Sequence, residues 1–74
     1  MDRLFKAEVE TPNFQFEAYG RTVDAAEAAL KRGWEAHLRE YRGATMTWQI
    51  LLHDVVVREV RVGSAYRDGE ELEG

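Results

Sequence analysis

The chain has 74 residues, enough for one small domain, and it contains no cysteine, which excludes disulfides and thiolate metal sites. Its net charge is −4, but four of its fourteen acidic residues fall within residues 68–74, which leaves ten acids against ten bases in residues 1–67. We therefore predict a single α+β domain over residues 1–67 and an acidic, disordered tail over residues 68–74. Because no apolar run approaches the ~20 residues of a membrane span, we expect a cytoplasmic protein that contacts no membrane.

Two alternating segments at the start of the chain predict a β-hairpin. In residues 3–9 and 14–19, apolar side chains alternate with polar ones, as expected for strands with one buried face. Pro12 between them suits the second position of a type I turn. The predicted inner face consists of Phe5, Ala7, Val9, Phe14, Phe16 and Ala18.

A loop over residues 10–13 sets the predicted register of this hairpin. Val9 is then opposite Phe14, and on the outer face Leu4 is opposite Tyr19. The opposite charges of Lys6 and Glu17 form a further outer-face pair in the same register.

Residues 22–41 predict one long amphipathic helix. Thr22 can accept a hydrogen bond from an early free N–H as the N-cap, and Gly43 is the expected left-handed stop. Gly33 lies inside the helix, where it costs roughly 1 kcal/mol relative to alanine, and we expect it to allow close packing. The apolar stripe consists of Val23, Ala26, Leu30, Trp34, His37, Leu38 and Tyr41.

The second half of the chain leaves one alternative open. Residues 45–52 alternate like a strand, although Thr45 could instead begin a short helix. Residues 55–62 are rich in valine and predict a strand, with a bulge or a bend near Arg58 and Glu59 where the alternation shifts. The predicted fold is α+β, a small antiparallel sheet with one long helix packed across it, ordered ββαββ or alternatively ββααβ.

The segment Ala18–Ala26 resembles the strand-to-helix junction of HicB-like antitoxins, in which a glycine, a polar residue and a threonine precede an alanine-rich helix. The resemblance is confined to this junction. The family's further strand before the helix and its DNA-binding segment after the core have no clear counterpart in this sequence. The resemblance therefore implies a local structure and no function.

The sequence lacks the residue patterns that support catalysis or metal binding. Its two histidines, His37 and His53, belong to no metal-binding motif, and we expect structural roles for both. Ser64 is the only serine, and Tyr66 stands where a nucleophile elbow requires its second glycine. No glycine-rich loop suits a phosphate. We therefore predict no enzyme activity, no cofactor and no metal.

The remaining hypotheses concern binding. A small domain with outward-facing Leu4 and Tyr19 suits a non-catalytic module that binds another protein, and we expect a homodimer as well. Phage- or plasmid-type accessory proteins and inhibitors are the class that this size suits. The alternative is a nucleic-acid-binding regulator in which arginines form one face and an aromatic ring stacks on bases. The candidate interaction residues are Leu4, Tyr19, Arg39, Arg42, Arg58, Arg61, Arg67 and Tyr66.

Overall fold

The computed structural model describes residues 3–43, 46–68 and 70–72. Strands β1, β2 and β3 form an antiparallel sheet in the order β2-β1-β3, and α1 packs across one face of it. This confirms the predicted α+β class. The elements in chain order are β1 (Arg3–Glu10), β2 (Gln15–Gly20), α1 (Val23–Glu40), α2 (Trp48–Leu52), β3 (Val56–Arg61), β4 (Tyr66–Arg67) and β5 (Glu70–Glu71).

The hairpin of β1 and β2 forms, but its predicted register is wrong by two residues. Val9 is opposite Phe16, not Phe14, because the loop covers residues 11–14. The Thr11 backbone N–H donates to the Phe14 carbonyl at 2.7 Å, and the Phe14 N–H donates to the Thr11 hydroxyl at 3.2 Å. Threonine therefore closes the loop around Pro12 with its side chain, an interaction that strand alternation does not encode.

A shift of two residues leaves every strand side chain on its predicted face, because side chains alternate with a period of two. Ala7 and Val9 are buried beneath α1, where they meet Ala26, Leu30 and Trp34 of the helix stripe. Phe5, Phe16 and Ala18 are partly buried around this core.

The long helix begins at its predicted N-cap, Thr22, but its predicted C-terminal stop is not used. The Ala25 N–H donates to the Thr22 hydroxyl at 3.0 Å, and the Tyr41 N–H donates to the His37 carbonyl at 2.9 Å. The prediction for Gly43 is wrong: Tyr41 is the C-cap, and among the described glycines only Gly63 has a positive φ. No helix in the described residues is long and apolar enough to cross a membrane.

The two glycines next to and inside this helix have opposite environments. A Cβ added to Gly20 would lie 2.4 Å from the Ala26 nitrogen and 2.7 Å from the Ala25 carbonyl carbon, so only glycine lets β2 approach the helix this closely. A Cβ on Gly33 would meet nothing within 4 Å. The expectation that Gly33 allows close packing is therefore wrong.

Residues 48–52 form the short helix α2, so the helical alternative for this segment is correct. The Ile50 N–H donates to the Thr47 hydroxyl at 3.3 Å, which makes Thr47 the N-cap, while Thr45 lies outside the described residues. Leu51 is fully buried in the core. In β3, pairing with β1 is continuous from Val56 to Arg61, so the predicted bulge is wrong.

The last described residues form a small hairpin. The β4 and β5 strands pair through Arg67 and Glu70, and the Leu72 N–H donates to the Ala65 carbonyl at 2.8 Å. Asp68 has a φ of 52° in the connecting turn, a conformation that aspartate tolerates better than most residues. Both β5 residues are exposed. That residues 68–74 add almost nothing to stability stays a prediction, and part of this tail lies outside the described residues.

Candidate interaction surfaces

Two clefts lie on opposite sides of the sheet and share no lining residue. The outer cleft, of about 650 Å³, covers the face of the sheet that α1 does not touch. The aromatic cleft, of about 590 Å³, lies between the β1–β2 loop and the C-terminal end of α1. Both volumes fall within the range of small-molecule sites.

One end of the outer cleft is apolar. Leu4 of β1 is opposite Val60 of β3, and Tyr19 of β2 lies diagonally beside Leu4, not directly opposite as predicted. Tyr19 is 50% exposed and Val62, at the end of β3, is 62% exposed. The structure therefore brings the predicted Leu4 and Tyr19 together, and it adds two valines to their patch.

The centre of the outer cleft is an ion-pair cluster around Lys6. The two facing strands place Glu8 directly opposite Glu17, an unfavourable pair of like charges. The Lys6 ammonium lies 3.2 Å from Glu8 and 3.3 Å from Glu17, so it bridges the two carboxylates. The Arg58 guanidinium lies 3.6 Å from the other oxygen of Glu8. The hydrogen bond to Glu8, followed by that to Glu17, raises the pKa of Lys6, against the opposing effect of its partial burial.

Tyr66 forms a wall of the outer cleft through the hairpin of β4 and β5. Its hydroxyl accepts a hydrogen bond from the Arg61 backbone N–H at 2.7 Å, on the side of β3 that faces away from β1. Tyr66 is partly buried there. The Tyr66 hydroxyl therefore pairs with a backbone N–H at the edge of the sheet.

The five candidate arginines do not lie together. Arg58 and Arg61 line the outer cleft, and Arg42 lines the aromatic cleft on the other side. Arg39 is exposed near the C-terminal end of α1, and Arg67 is exposed on β4. The arginines that sequence spacing grouped are thus distributed over both sides of the sheet.

Five rings pack together at the aromatic cleft, and His37 lies at their centre. The His37 ring stacks between Trp34, at 5.3 Å between centroids, and Tyr41, at 4.8 Å. Phe14 and Phe16 each meet it edge-on at 4.9 Å. None of these rings was predicted to form a binding site, because Phe14 and Phe16 were expected on the inner face of a strand and the other three in the apolar stripe of the helix.

Two of the five rings stand at the mouth of the aromatic cleft. Phe14 is 41% exposed and Tyr41 is 51% exposed, and their centroids are 5.3 Å apart. The indole nitrogen of Trp34 is the one buried side-chain nitrogen or oxygen in the described residues that lacks a hydrogen-bond partner. A buried donor without a partner costs about 1–3 kcal/mol. The sequence contains one signal for this exposed pair of rings: Phe14 borders the predicted loop, and Tyr41 lies at the predicted end of the helix.

In the described part of the chain, no three His, Asp or Glu side chains lie close enough to hold a metal ion. His37 and His53 are therefore not joined in such a group. The chain matches no family model, and neither a curated protein nor a solved structure shows significant similarity to it.

Proposed function

We propose that this protein is a non-catalytic module that binds another protein through the outer cleft. The observation that carries the proposal is the uncovered outer face of the sheet. The described residues place α1 over the inner face alone, while Leu4, Tyr19 and Val62 contribute apolar surface to the outer side. Apolar surface that a small domain leaves in one patch is typical of a protein-binding site.

The charges of the outer cleft favour a protein partner over a nucleic acid. Lys6 and Arg58 both lie within 4 Å of carboxylates, so their charge is largely balanced within the sheet. An interface with an apolar centre and a charged rim suits a protein surface of the same mixed character. A phosphate backbone instead favours a continuous row of unbalanced bases.

An exposed tyrosine and an exposed isoleucine provide a matched test. Tyr19→Asp places a charge in the apolar end of the outer cleft, whereas Ile50→Asp places one on α2, which does not line that cleft. We expect a partner recovered with the wild type and with Ile50→Asp to be lost with Tyr19→Asp, in affinity purification with quantitative mass spectrometry. Retention of every partner by a folded Tyr19→Asp variant would refute the proposal.

The homodimer is a separate part of the proposal. Size-exclusion chromatography with light scattering over a concentration series measures it directly. We expect a dimer at high concentration that Tyr19→Asp weakens and Ile50→Asp does not. A strict monomer at every concentration removes the homodimer and leaves the partner protein untested by that measurement.

Size-exclusion chromatography of the protein mixed with a pool of DNA and RNA tests the nucleic-acid alternative. We expect the protein not to co-elute with the nucleic acid even at low ionic strength, where phosphate contacts are strongest. Salt-sensitive binding that Arg58→Gln or Arg42→Gln abolishes would favour the nucleic-acid-binding regulator instead.

A further inference from the structure

The aromatic cleft has no part in the function proposed above, since it lies across the sheet from the outer cleft. Phe16 and Trp34 pack with the core, at 5.5 Å between their centroids. Phe14 and Tyr41 extend this cluster outward and stay about half exposed. Large rings at the mouth of a concave site are suited to stack on a flat group.

Two side chains that line the cleft, Trp34 and His37, have ring nitrogens that can donate a hydrogen bond to a ligand. Trp34 offers a buried indole N–H with no partner in the described part of the chain. The His37 ring makes ring contacts on four sides, and its nitrogens form no hydrogen bond with the described residues. A carbonyl oxygen on the bound group would accept a hydrogen bond from either side chain.

The charges at the rim disfavour an anion. Arg42 and Glu40 both line the cleft, so their formal charges cancel. The cleft also adjoins the C-terminal end of α1, whose last carbonyls carry a partial negative charge. A neutral group that accepts on one side and donates N–H groups on the other complements this arrangement, and a primary carboxamide does both.

We propose that the aromatic cleft binds a small planar aromatic molecule that carries a carboxamide. The ring of the ligand stacks against Tyr41 and Phe14, and its carbonyl oxygen accepts from the Trp34 or His37 nitrogen. The amide N–H groups face Glu40 and the end of the helix. Because the Trp34 nitrogen is covered from solvent in the free protein, a hydrogen bond to it requires side chains of the cleft to move as the ligand enters.

Benzamide is the probe for this site, in a titration of the isotope-labelled protein followed by amide and indole NMR signals. We expect saturable shifts of the Trp34 indole N–H and of backbone amides in residues 11–14 and 40–43. A ligand of about nine heavy atoms should bind in the millimolar range. Cyclohexanecarboxamide, which keeps the amide without the flat ring, and benzoate, which replaces it by an anion, should each bind at least about fivefold more weakly.

Two tyrosines of nearly equal exposure give the matched variants. Tyr41→Ala removes a ring from the mouth and should weaken benzamide binding at least about fivefold, while Tyr19→Ala on the outer cleft should leave it unchanged. Spectra of both variants report whether they remain folded.

Three results would overturn the proposal. These are the absence of saturable shifts with benzamide, equal binding of cyclohexanecarboxamide or benzoate, and unchanged affinity in a folded Tyr41→Ala variant. If benzamide does not bind but Tyr41→Ala abolishes the binding of a partner protein, the cleft is a protein-docking surface and not a small-molecule site.

Discussion

The two halves of the chain are stabilised in different ways. Among the residues that the structure describes, residues 3–43 contain five of the six that are hydrophobic and buried, whereas the second half contributes Leu51. The second half is joined to the first mainly by the pairing of β3 with β1, and α1 packs on β2 and β1 far more than on β3. The hairpin and the long helix therefore hold most of the fully buried core, and the second half joins it through β3 and Leu51.

The largest expected effect tests whether the hairpin and the long helix dominate stability. Leu30→Ala should lower the free energy of unfolding by about 2–5 kcal/mol, because it leaves a cavity at a fully buried position. Leu52→Ala, at a residue 40% exposed on α2, should cost less than about 1 kcal/mol. Chemical denaturation measures both. A comparable loss for Leu52→Ala would mean that the second half carries more of the core than its burial indicates.

The next effect concerns the approach of β2 to the helix. Gly20→Ala should destabilise the protein by about 1–3 kcal/mol, since its Cβ would overlap backbone atoms of Ala25 and Ala26 that cannot move independently of the helix. Thermal unfolding of the variant gives the size of the loss. No change in the melting temperature would show that the junction has room to adjust.

Gly33→Ala is the counterpart of that variant inside the helix and should have the opposite sign. A Cβ there meets nothing within 4 Å, so alanine brings only its better helix propensity and should stabilise by about 0.5–1 kcal/mol. Denaturant unfolding of both glycine variants gives a direct comparison. A destabilised Gly33→Ala variant would indicate that the chain has less free space at this position than the structure shows.

A smaller effect on stability should distinguish Lys6 from Lys31, the other lysine of the chain. The pKa of Lys6 is raised in the folded protein by Glu8 and Glu17, so its stabilising contribution is complete below about pH 10.5 and is lost as the pH rises through the folded-state pKa. Lys6→Met should therefore reduce stability at pH 8 and lose this deficit at high pH. Lys31→Met, on the exposed side of α1, is the control. Equal pH profiles for the two variants would show that the cluster contributes nothing.

The smallest expected effect is that of removing residues 69–74. Both residues of β5 are exposed and Leu72 is 37% exposed, so little apolar surface is lost. The melting temperature should stay nearly unchanged. Unfolding of the truncated chain would contradict the prediction that the tail adds almost nothing to stability. It would also contradict the inference that residues 3–43 hold most of the core.

The accuracy of the sequence-based prediction follows the same division. In the first half, capping by Thr22 and the periodicity of the stripe locate the helix, and strand alternation assigns the correct faces even with the register wrong by two residues. In the second half, alternation in residues 45–52 suggested a strand, yet a cap at Thr47 and burial of Leu51 favour a helix over residues 48–52. Short apolar segments fit both periods, so tertiary packing decides between them.

The clefts were harder to predict than the fold. The aromatic cleft brings Phe14 of a loop against His37 and Tyr41 of the helix end, a meeting that depends on how far the hairpin extends along the helix. Arg42 follows the helix to the aromatic cleft, whereas the pairing of β3 with β1 places Arg58 opposite Lys6 on the outer face. Neither is contained in local sequence patterns.

The hydrogen bond from the Arg61 amide to the Tyr66 hydroxyl makes that amide a reporter of local opening. We expect its proton to exchange with solvent when Tyr66 moves away, an opening that need not disrupt the hairpin of β1 and β2 or the long helix. Amides in the middle of α1, near the buried Leu30, should exchange only on global unfolding. The exchange rate at Arg61 thus measures how often the outer cleft loses one of its walls, and a partner that binds against Tyr66 should slow that exchange without changing the rate at Leu30.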